Sequence, residues 1–308
     1  MPATPGRSGD RSLQSYLLTF GIVAALIVVA VVAALSWRVV KGYLQSDADR
    51  RLADIAQRTS SLIAQYLRER RSELELLAST PTVTLAAEAA EAAANQRGLP
   101  LQTTGQLEAA FAGSRTLDID PGAQTFLQSV ENRSDFAELF FTESHGFNAV
   151  TTHRTSDFVQ SDEEWWQRAF RGESYQSEPT YDASARVVSV EMAAPVAARN
   201  GRRVGVIKGV FDLSRLARLV VTSDASTGAT IAVVDQGARL VVGGDSTQLL
   251  KPLADASDIT MADTLTFVTL TAAGAEPERV VAARVNPGRW WVVVRQPTVK
   301  TYAAVRAI

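Results

Sequence analysis

The chain has 308 residues and a formal net charge of −2, with hydrophobic residues at 46% and charged residues at 21%. This composition indicates a folded protein, and the length allows about two domains. It argues against nucleic acid as a partner, because phosphate neutralisation needs an excess of Lys and Arg. Cysteine is absent, which excludes disulfides, thiolate nucleophiles and Cys-ligated zinc. The two histidines, His145 and His153, are too few for a His-rich metal site, and we predict neither a metal nor a cofactor.

The N-terminal region contains one strongly apolar segment. Residues 16–37 carry no charge and are bracketed by Tyr16 and Trp37, as interfacial aromatics bracket a membrane helix. A helix needs about 20 apolar residues to cross the hydrocarbon core. A cleaved signal peptide is the alternative, but its apolar core is usually about 7–15 residues long. We therefore predict a transmembrane helix at 16–37, preceded by a short N-terminal segment at 1–15.

A long helix is predicted at residues 38–81, continuous with the membrane segment. Its apolar residues recur at steps of three and four, and Pro81 ends the pattern. The apolar stripe is wider than a coiled-coil seam, so we interpret the helix as a stalk whose upper part packs on a domain. A solvated coiled-coil stalk is the alternative. A second, Ala-rich helix is predicted at 83–95, closed by Gly98 and Pro100.

The pattern from Phe136 onward changes to the period of two that indicates strands. In a first unit we predict strands at 136–142, 147–152, 187–197 and 204–211. A capping box of Ser161 and Glu164 predicts the start of a short helix that runs through Phe170. A helix at 213–221 then links this unit to the next.

In the first unit, a strand is followed by an acidic residue, a turn, a Gly and a second strand. A second unit repeats this order. Its strands are predicted at 230–234, 239–242, 265–270, 280–285 and 290–295, and a helical segment follows at 298–308. The fold class is therefore α+β, with two modules built on antiparallel sheets at residues 82–222 and 223–297.

The sequence contains no nucleophile elbow, phosphate-binding loop or zinc-protease motif, so we predict no enzymatic activity in these residues. A tandem Trp165–Trp166 in a short helix, together with Tyr181 and Asp182, can instead form an aromatic wall beside a carboxylate. This arrangement is typical of sites for a small polar cation or zwitterion. The full set of predicted ligand-binding residues is Arg154, Trp165, Trp166, Tyr181, Asp182 and Glu191.

The chain from residue 44 onward resembles the double Cache sensor domain of bacterial membrane receptors. The resemblance rests on the segments EEWWQRAFRG, YDASAR and GRRVGVIKGVFDL, between residues 163 and 213. It implies two stacked PAS-like modules on a long helix, outside the cytoplasmic membrane, with the N-terminus in the cytoplasm. The count of Lys and Arg around the apolar segment does not by itself give that orientation.

The resemblance also implies a ligand site in the membrane-distal module. In amino-acid-sensing members of the family, Trp165, Trp166, Tyr181 and Asp182 match the pocket positions for Trp, a second aromatic, Tyr and Asp. The Arg that would bind a ligand carboxylate corresponds to Glu163 here, and Arg154 is only nearby in sequence. An acidic residue at that position would favour an amine over an amino acid if its side chain faced inward.

Two functions are consistent with these features. The first is the sensory region of a homodimeric signalling receptor that binds a small amine, amino acid or other polar metabolite and transmits along its helices. The second is a membrane-anchored ectodomain that binds a partner protein and no small ligand. Such sensor regions are normally followed by a second membrane helix and a signalling domain, so we expect the chain to be a fragment of a longer receptor.

Overall fold

The computed structural model describes residues 10–182, 187–222, 228–243, 246–271, 274–286 and 289–303. One continuous helix, α1 (Asp10–Ala78), contains both the apolar segment and the predicted stalk. Residues 15–42 are exposed along their whole length, and this part of α1 is long and apolar enough to cross a membrane. The remainder of α1 carries a buried stripe.

The second helix begins at once after α1. α2 (Pro81–Gln96) has Pro81 at its first position, where the missing N–H has no helical partner to lose, and Thr80 accepts a hydrogen bond from Val83 N. One face of α2 consists of small buried residues, which allow close approach to the sheet: Ala86, Ala87, Ala90 and Ala94. A 3₁₀ turn at Leu99–Leu101, α3 (Thr104–Ala110) and α4 (Pro121–Glu131) follow in a region for which the sequence predicted no elements.

The first module contains an antiparallel sheet, which we call the distal sheet because it packs on the part of α1 farthest from the apolar segment. Its strands run in the order β2-β1-β6-β5-β3, with β4 also paired to β5. The short helix α5 (Glu164–Phe170) connects β2 to β3. The strand bounds are β1 (Phe136–Glu143), β2 (Asn148–Thr151), β3 (Tyr175–Gln176), β4 (Thr180–Asp182), β5 (Val187–Ala197) and β6 (Arg203–Asp212).

The second module contains the proximal sheet, which is antiparallel in the order β8-β7-β11-β10-β9. α6 (Ser214–Thr222) leads into it and α7 (Thr298–Thr301) follows it. Its strand bounds are β7 (Thr230–Val234), β8 (Leu240–Val242), β9 (Thr266–Leu270), β10 (Glu278–Val285) and β11 (Trp290–Pro297). The predicted strands are confirmed to within two residues, whereas the end of the predicted last helix, 304–308, lies outside the described residues.

A buried carboxylate holds the first hairpin turn of each module. In the distal module Glu143 is fully buried and accepts hydrogen bonds from the backbone N–H groups of His145 (2.9 Å) and Phe147 (3.0 Å). In the proximal module the equally buried Asp235 accepts from Arg239 N at 2.8 Å and from Arg239 Nε at 2.7 Å. The sequence repeat therefore corresponds to a repeated structural feature, a buried carboxylate that accepts hydrogen bonds from N–H groups of the hairpin turn.

α1 packs against both sheets. It contacts β5 and β6 of the distal sheet and β10 and β11 of the proximal sheet, and α6 contacts both α1 and β8. The buried apolar residues of α1 belong to the main core: Leu52, Ala56, Ile63, Leu67 and Leu74. This confirms the interpretation that the stalk packs on the modules and that both helices connect them.

Asp135, directly before β1, joins three elements of the core. It accepts hydrogen bonds from Tyr66 Oη (2.9 Å) and Arg70 Nη1 (3.2 Å) of α1, and it also pairs with Arg215 of α6. Burial, reinforced by the Asp135 carboxylate, raises the pKa of Tyr66 above its ordinary value, so the hydroxyl stays a donor. The start of β1 is thereby fixed to both helices.

Replacing Tyr66 with Phe removes the hydroxyl that α1 donates to Asp135. Because a hydrogen bond to a charged group contributes more than a neutral one, we expect the free energy of unfolding to fall by about 1–2 kcal/mol. Chemical denaturation of the full chain in detergent would measure this loss. Tyr43→Phe, at an exposed position of the same helix, is the control and should change nothing; equal stability of both variants would contradict the role of Asp135.

Candidate functional site

The two faces of the distal sheet have different surroundings. One face packs on the helices through apolar residues of the main core, among them Leu139, Phe141 and Ile207. The other lies under α5, and we call it the α5 face. The strand register places Glu138, Val210 and Glu191 in one row across it, and Phe140, Lys208 and Ala193 in the next. Charged residues therefore project from a buried sheet on this side.

The tandem tryptophans attach α5 to this face. Trp165 meets the Phe140 ring edge-on, with ring centroids 5.7 Å apart. Trp166 donates from Nε1 to Thr142 Oγ1 at 2.7 Å and stacks on Phe170 at 4.6 Å. Both side chains are buried, at 4% and 7% exposure. Trp166 is thus the anchor to the core, and Trp165 forms a wall beside the charged residues.

The predicted start of α5 was wrong. The helix begins at Glu164 rather than after Ser161, and its N-cap residue, Glu163, makes no side-chain capping bond. The reason is a tertiary contact, because Gln160 N donates to Gly146 O at 2.8 Å and holds the chain before Ser161 against the hairpin turn. A Cβ on Gly146, whose φ is +86°, would lie 2.6 Å from Ser161 Cβ. Glu163 itself is exposed and does not face the sheet.

Lys208 is held at the centre of the α5 face. Its ammonium lies 2.9 Å from Glu191 Oε2 and 4.8 Å from the centroid of the Trp165 ring, and its side chain is only 11% exposed. Glu138 occupies the neighbouring row, and the register of β4 with β5 puts Asp182, which is half-buried, on the same face. We call Glu138, Asp182, Glu191 and Lys208 the charged cluster.

Glu138 is the most perturbed residue of the charged cluster. Burial raises its pKa to about 7, an effect that Lys208 opposes and that Asp182 reinforces. Its Oε1 atom is buried and accepts no hydrogen bond from the residues that the structure describes. An unsatisfied buried carboxylate oxygen is costly, so among the described residues this atom stands out as an acceptor that has no donor.

Two predicted site residues lie elsewhere. Tyr181 is 59% exposed and lines a separate cavity of about 500 Å³ between the two sheets, with Leu213 and Val241. It alternates with Asp182 along β4, so the two side chains point to opposite faces. Arg154 is exposed and donates from Nη2 to Ala112 O at 2.7 Å. The structure therefore brings together Trp165, Asp182 and Glu191, with Trp166 behind them, but not Tyr181 or Arg154.

The sequence analysis missed Glu138 and Lys208. Each is a charged residue inside a predicted strand that is otherwise largely apolar, at a position that alternation assigns to one face. That signal was available, since a buried charge is uncommon without a partner or a function. Within the described ranges, no three His, Asp or Glu residues are placed to hold a metal ion.

Comparison with known proteins gives a family and a fold. The sequence model of the Cache domain matches residues 40–305. The ligand-binding domain of the Pseudomonas aeruginosa amino acid chemoreceptor PctB, solved with L-Arg, is 17% identical, with 84% of this chain and 98% of that chain covered and a TM-score of 0.58.

Two further solved domains are similar. That of the Pseudomonas fluorescens chemoreceptor CtaA with L-leucine is 17% identical, covering 85% of this chain and 99% of that chain, with a TM-score of 0.57. That of P. aeruginosa PctC with GABA is 20% identical, covering 80% and 99%, with a TM-score of 0.56. No curated protein matches the sequence.

Replacing Glu138 with Gln should alter how stability depends on pH. The pKa of about 7 in the folded chain exceeds the ordinary 4.5, so the folded state binds the proton more tightly than the unfolded state. Its stabilising contribution is complete below about pH 4.5 and is lost as the pH rises through about 7.

We therefore expect the melting temperature of the wild type, relative to Glu138→Gln, to fall between about pH 5 and pH 8. Thermal melts of the full chain at a series of pH values measure this difference. Glu276→Gln, at an exposed position, should give a difference with no such slope. If the difference in melting temperature between the wild type and Glu138→Gln stayed constant with pH, the raised pKa of Glu138 would be contradicted.

Proposed function

The chain belongs to the Cache domain family, and we propose that it is the extracytoplasmic sensory region of a bacterial membrane receptor that binds a small cationic amine on the α5 face. The observation that carries the proposal is the charged cluster, in which three carboxylates share one face of the sheet with a single ammonium. An incoming ammonium would supply both charge and hydrogen-bond donors there.

The geometry favours an amine over an amino acid. An α-amino acid also needs a cation for its carboxylate, but Lys208 is already paired with Glu191. Arg154, the other cation considered in the sequence, is exposed and bound to a backbone carbonyl. PctB, CtaA and PctC were solved with L-Arg, L-leucine and GABA, which all carry a carboxylate. We infer that the acidic α5 face distinguishes this chain from them.

The aromatic wall fits the same ligand class. The rings of Trp165 and Phe140 already attract the ammonium of Lys208, at 4.8 Å and 5.7 Å from the ring centroids. A face that holds one cation by carboxylates and aromatic rings is chemically suited to hold another. The unsatisfied Oε1 of Glu138 would accept one of its N–H donors.

Signal transmission would start in β1. Glu138 lies three residues after Asp135 in the chain, and Asp135 is bonded to both α1 and α6. Neutralising the carboxylates of the α5 face by a bound cation would favour one position of β1 over another, and the Asp135 contacts would pass this to α1. Residues 16–37 would then carry the change across the cytoplasmic membrane, with the N-terminus inside.

The exposed part of α1 is the basis for proposing a homodimer in the membrane. Residues 15–42 make no buried contact in the chain, and we propose that membrane insertion and pairing of two α1 helices cover them. An ectodomain that binds a partner protein and no small ligand would leave the charged cluster unoccupied. The experiment below distinguishes these functions.

The test is calorimetric titration of the full chain in detergent with putrescine, ethylamine and L-leucine. We expect the two amines to bind and L-leucine not to bind. Asp182→Asn and Glu191→Gln should each weaken amine binding about tenfold or more, because each removes a partly buried opposite charge. The exposed Glu276→Gln is the matched control and should bind as the wild type does.

Three results would be informative. Binding of L-leucine but not of the amines would replace the amine by an amino acid and would mean that Lys208 leaves Glu191 to hold a carboxylate. Binding of amines that is unaffected in Asp182→Asn and Glu191→Gln would place the site elsewhere. Binding of none of the three compounds would contradict the amine site and favour the partner-binding ectodomain.

A further inference from the structure

A second cavity, of about 950 Å³, opens between the two modules and α1. It is lined by parts of α1, of the segment from α5 to Glu178, and of the proximal strands β10 and β11. Its charged lining is mostly cationic, with two carboxylates, Glu164 and Glu178, against five arginines: Arg68, Arg71, Arg168, Arg284 and Arg289. We call this cavity the arginine groove.

Two of the five arginines have carboxylate partners. Arg168 lies 3.3 Å from Glu164 Oε1 and also pairs with Glu173, and Arg284 pairs with Asp263. These two arginines need no further anion to balance their charge.

The other three bond only to neutral oxygens in the described part of the chain. Arg68 donates to Asn286 O at 3.5 Å, Arg71 to Gln176 Oε1 at 3.4 Å, and Arg289 to Gln236 Oε1 at 3.0 Å. Among the described residues, no carboxylate oxygen lies within 4 Å of any of these three guanidinium groups.

Grouping these cations is unfavourable without an anion. Arg71 is half-buried, and burial lowers its pKa, which is the sign of a charge that has lost water; Glu75, one turn along α1, only partly opposes this effect. Like charges that share a cavity repel one another more strongly as water is excluded. Guanidinium groups in such an arrangement are well suited to bind carboxylate or phosphate, because each presents a planar fork of donors.

We propose that the arginine groove is a second binding site, which takes a small multivalent organic anion such as a di- or tricarboxylate or a phosphate ester. Its volume is in the range of small-molecule sites. The anion would contact α1 through Arg68 and Arg71 and the proximal module through Arg289, so it would join two parts of the receptor.

The length of α1 excludes a lipid headgroup as the source of this anion. Arg68 lies 31 residues beyond Trp37, where the apolar segment ends. At a rise of about 1.5 Å per residue, the groove is about 46 Å from the membrane surface. The ligand is therefore a free solute.

The probes are citrate and inorganic phosphate, added to the full chain in detergent, with NaCl at matched ionic strength as the salt control. We expect citrate to raise the melting temperature above the NaCl value, because an anion that binds only the folded state stabilises it. Arg71→Gln and Arg68→Gln should each weaken citrate binding about tenfold in calorimetric titration. Arg58→Gln is the matched control, since it removes the same charge from an exposed position of α1, where Arg58 donates to Asp54 O of its own helix.

The outcomes separate this site from the amine site. Loss of citrate binding in Arg68→Gln, at an exposed position where the fold should tolerate the change, supports the groove even if Arg71→Gln is unstable. The proposal would be overturned if citrate and phosphate raised the melting temperature no more than NaCl does. It would also be overturned if citrate bound equally well to Arg58→Gln and to the Arg68 and Arg71 variants. Amine binding should be unchanged in Arg68→Gln, so failure of either site leaves the other testable.

Discussion

The packing of one face of α1 against two separate sheets is the constraint on which the rest of the structure depends. Each large apolar side chain buried there, such as Ile63 or Leu74, contributes about 1.5–3 kcal/mol relative to exposure. The helix covers part of the inner face of each sheet, and α2 and α4 also pack on the distal sheet. Because both sheets pack on the same helix, a shift of either sheet against α1 would displace the helix as a whole, including its apolar segment.

The distal sheet lies between α1 and the charged cluster. Leu139 and Phe141 project to the core from the strand whose alternate residues, Glu138 and Phe140, project to the α5 face. A ligand that bonds Glu138 would therefore act on a strand whose other side chains pack in the core, beside α2 and α4. The bonds of Asp135 to Tyr66 and Arg215 lie at the beginning of that strand, so β1 joins the charged face of the sheet to α1 and α6.

The sequence predicted the elements whose signals are local. The long apolar and amphipathic runs of α1, the alternating strands and the acidic hairpin turns all follow from nearest neighbours along the chain. The start of α5 did not, because the contact of Gly146 with Ser161 overrides the capping motif. The site was predicted only in part, since Tyr181 and Asp182 are neighbours in sequence but alternate across β4. Glu138 and Lys208 are 70 residues apart, and only the register of β1 with β6 brings them to one face.

Hydrogen–deuterium exchange of the full chain, with and without saturating putrescine, tests most directly whether an amine bound at the α5 face acts on the helix behind the sheet. Slower exchange on binding should appear in β1, β5, β6 and α5 and extend into α1 around Tyr66 and Arg70, while β9 and β10 stay unchanged. Protection confined to the proximal sheet, or protection of the α5 face with none in α1, would contradict the proposed site or its connection to the helix.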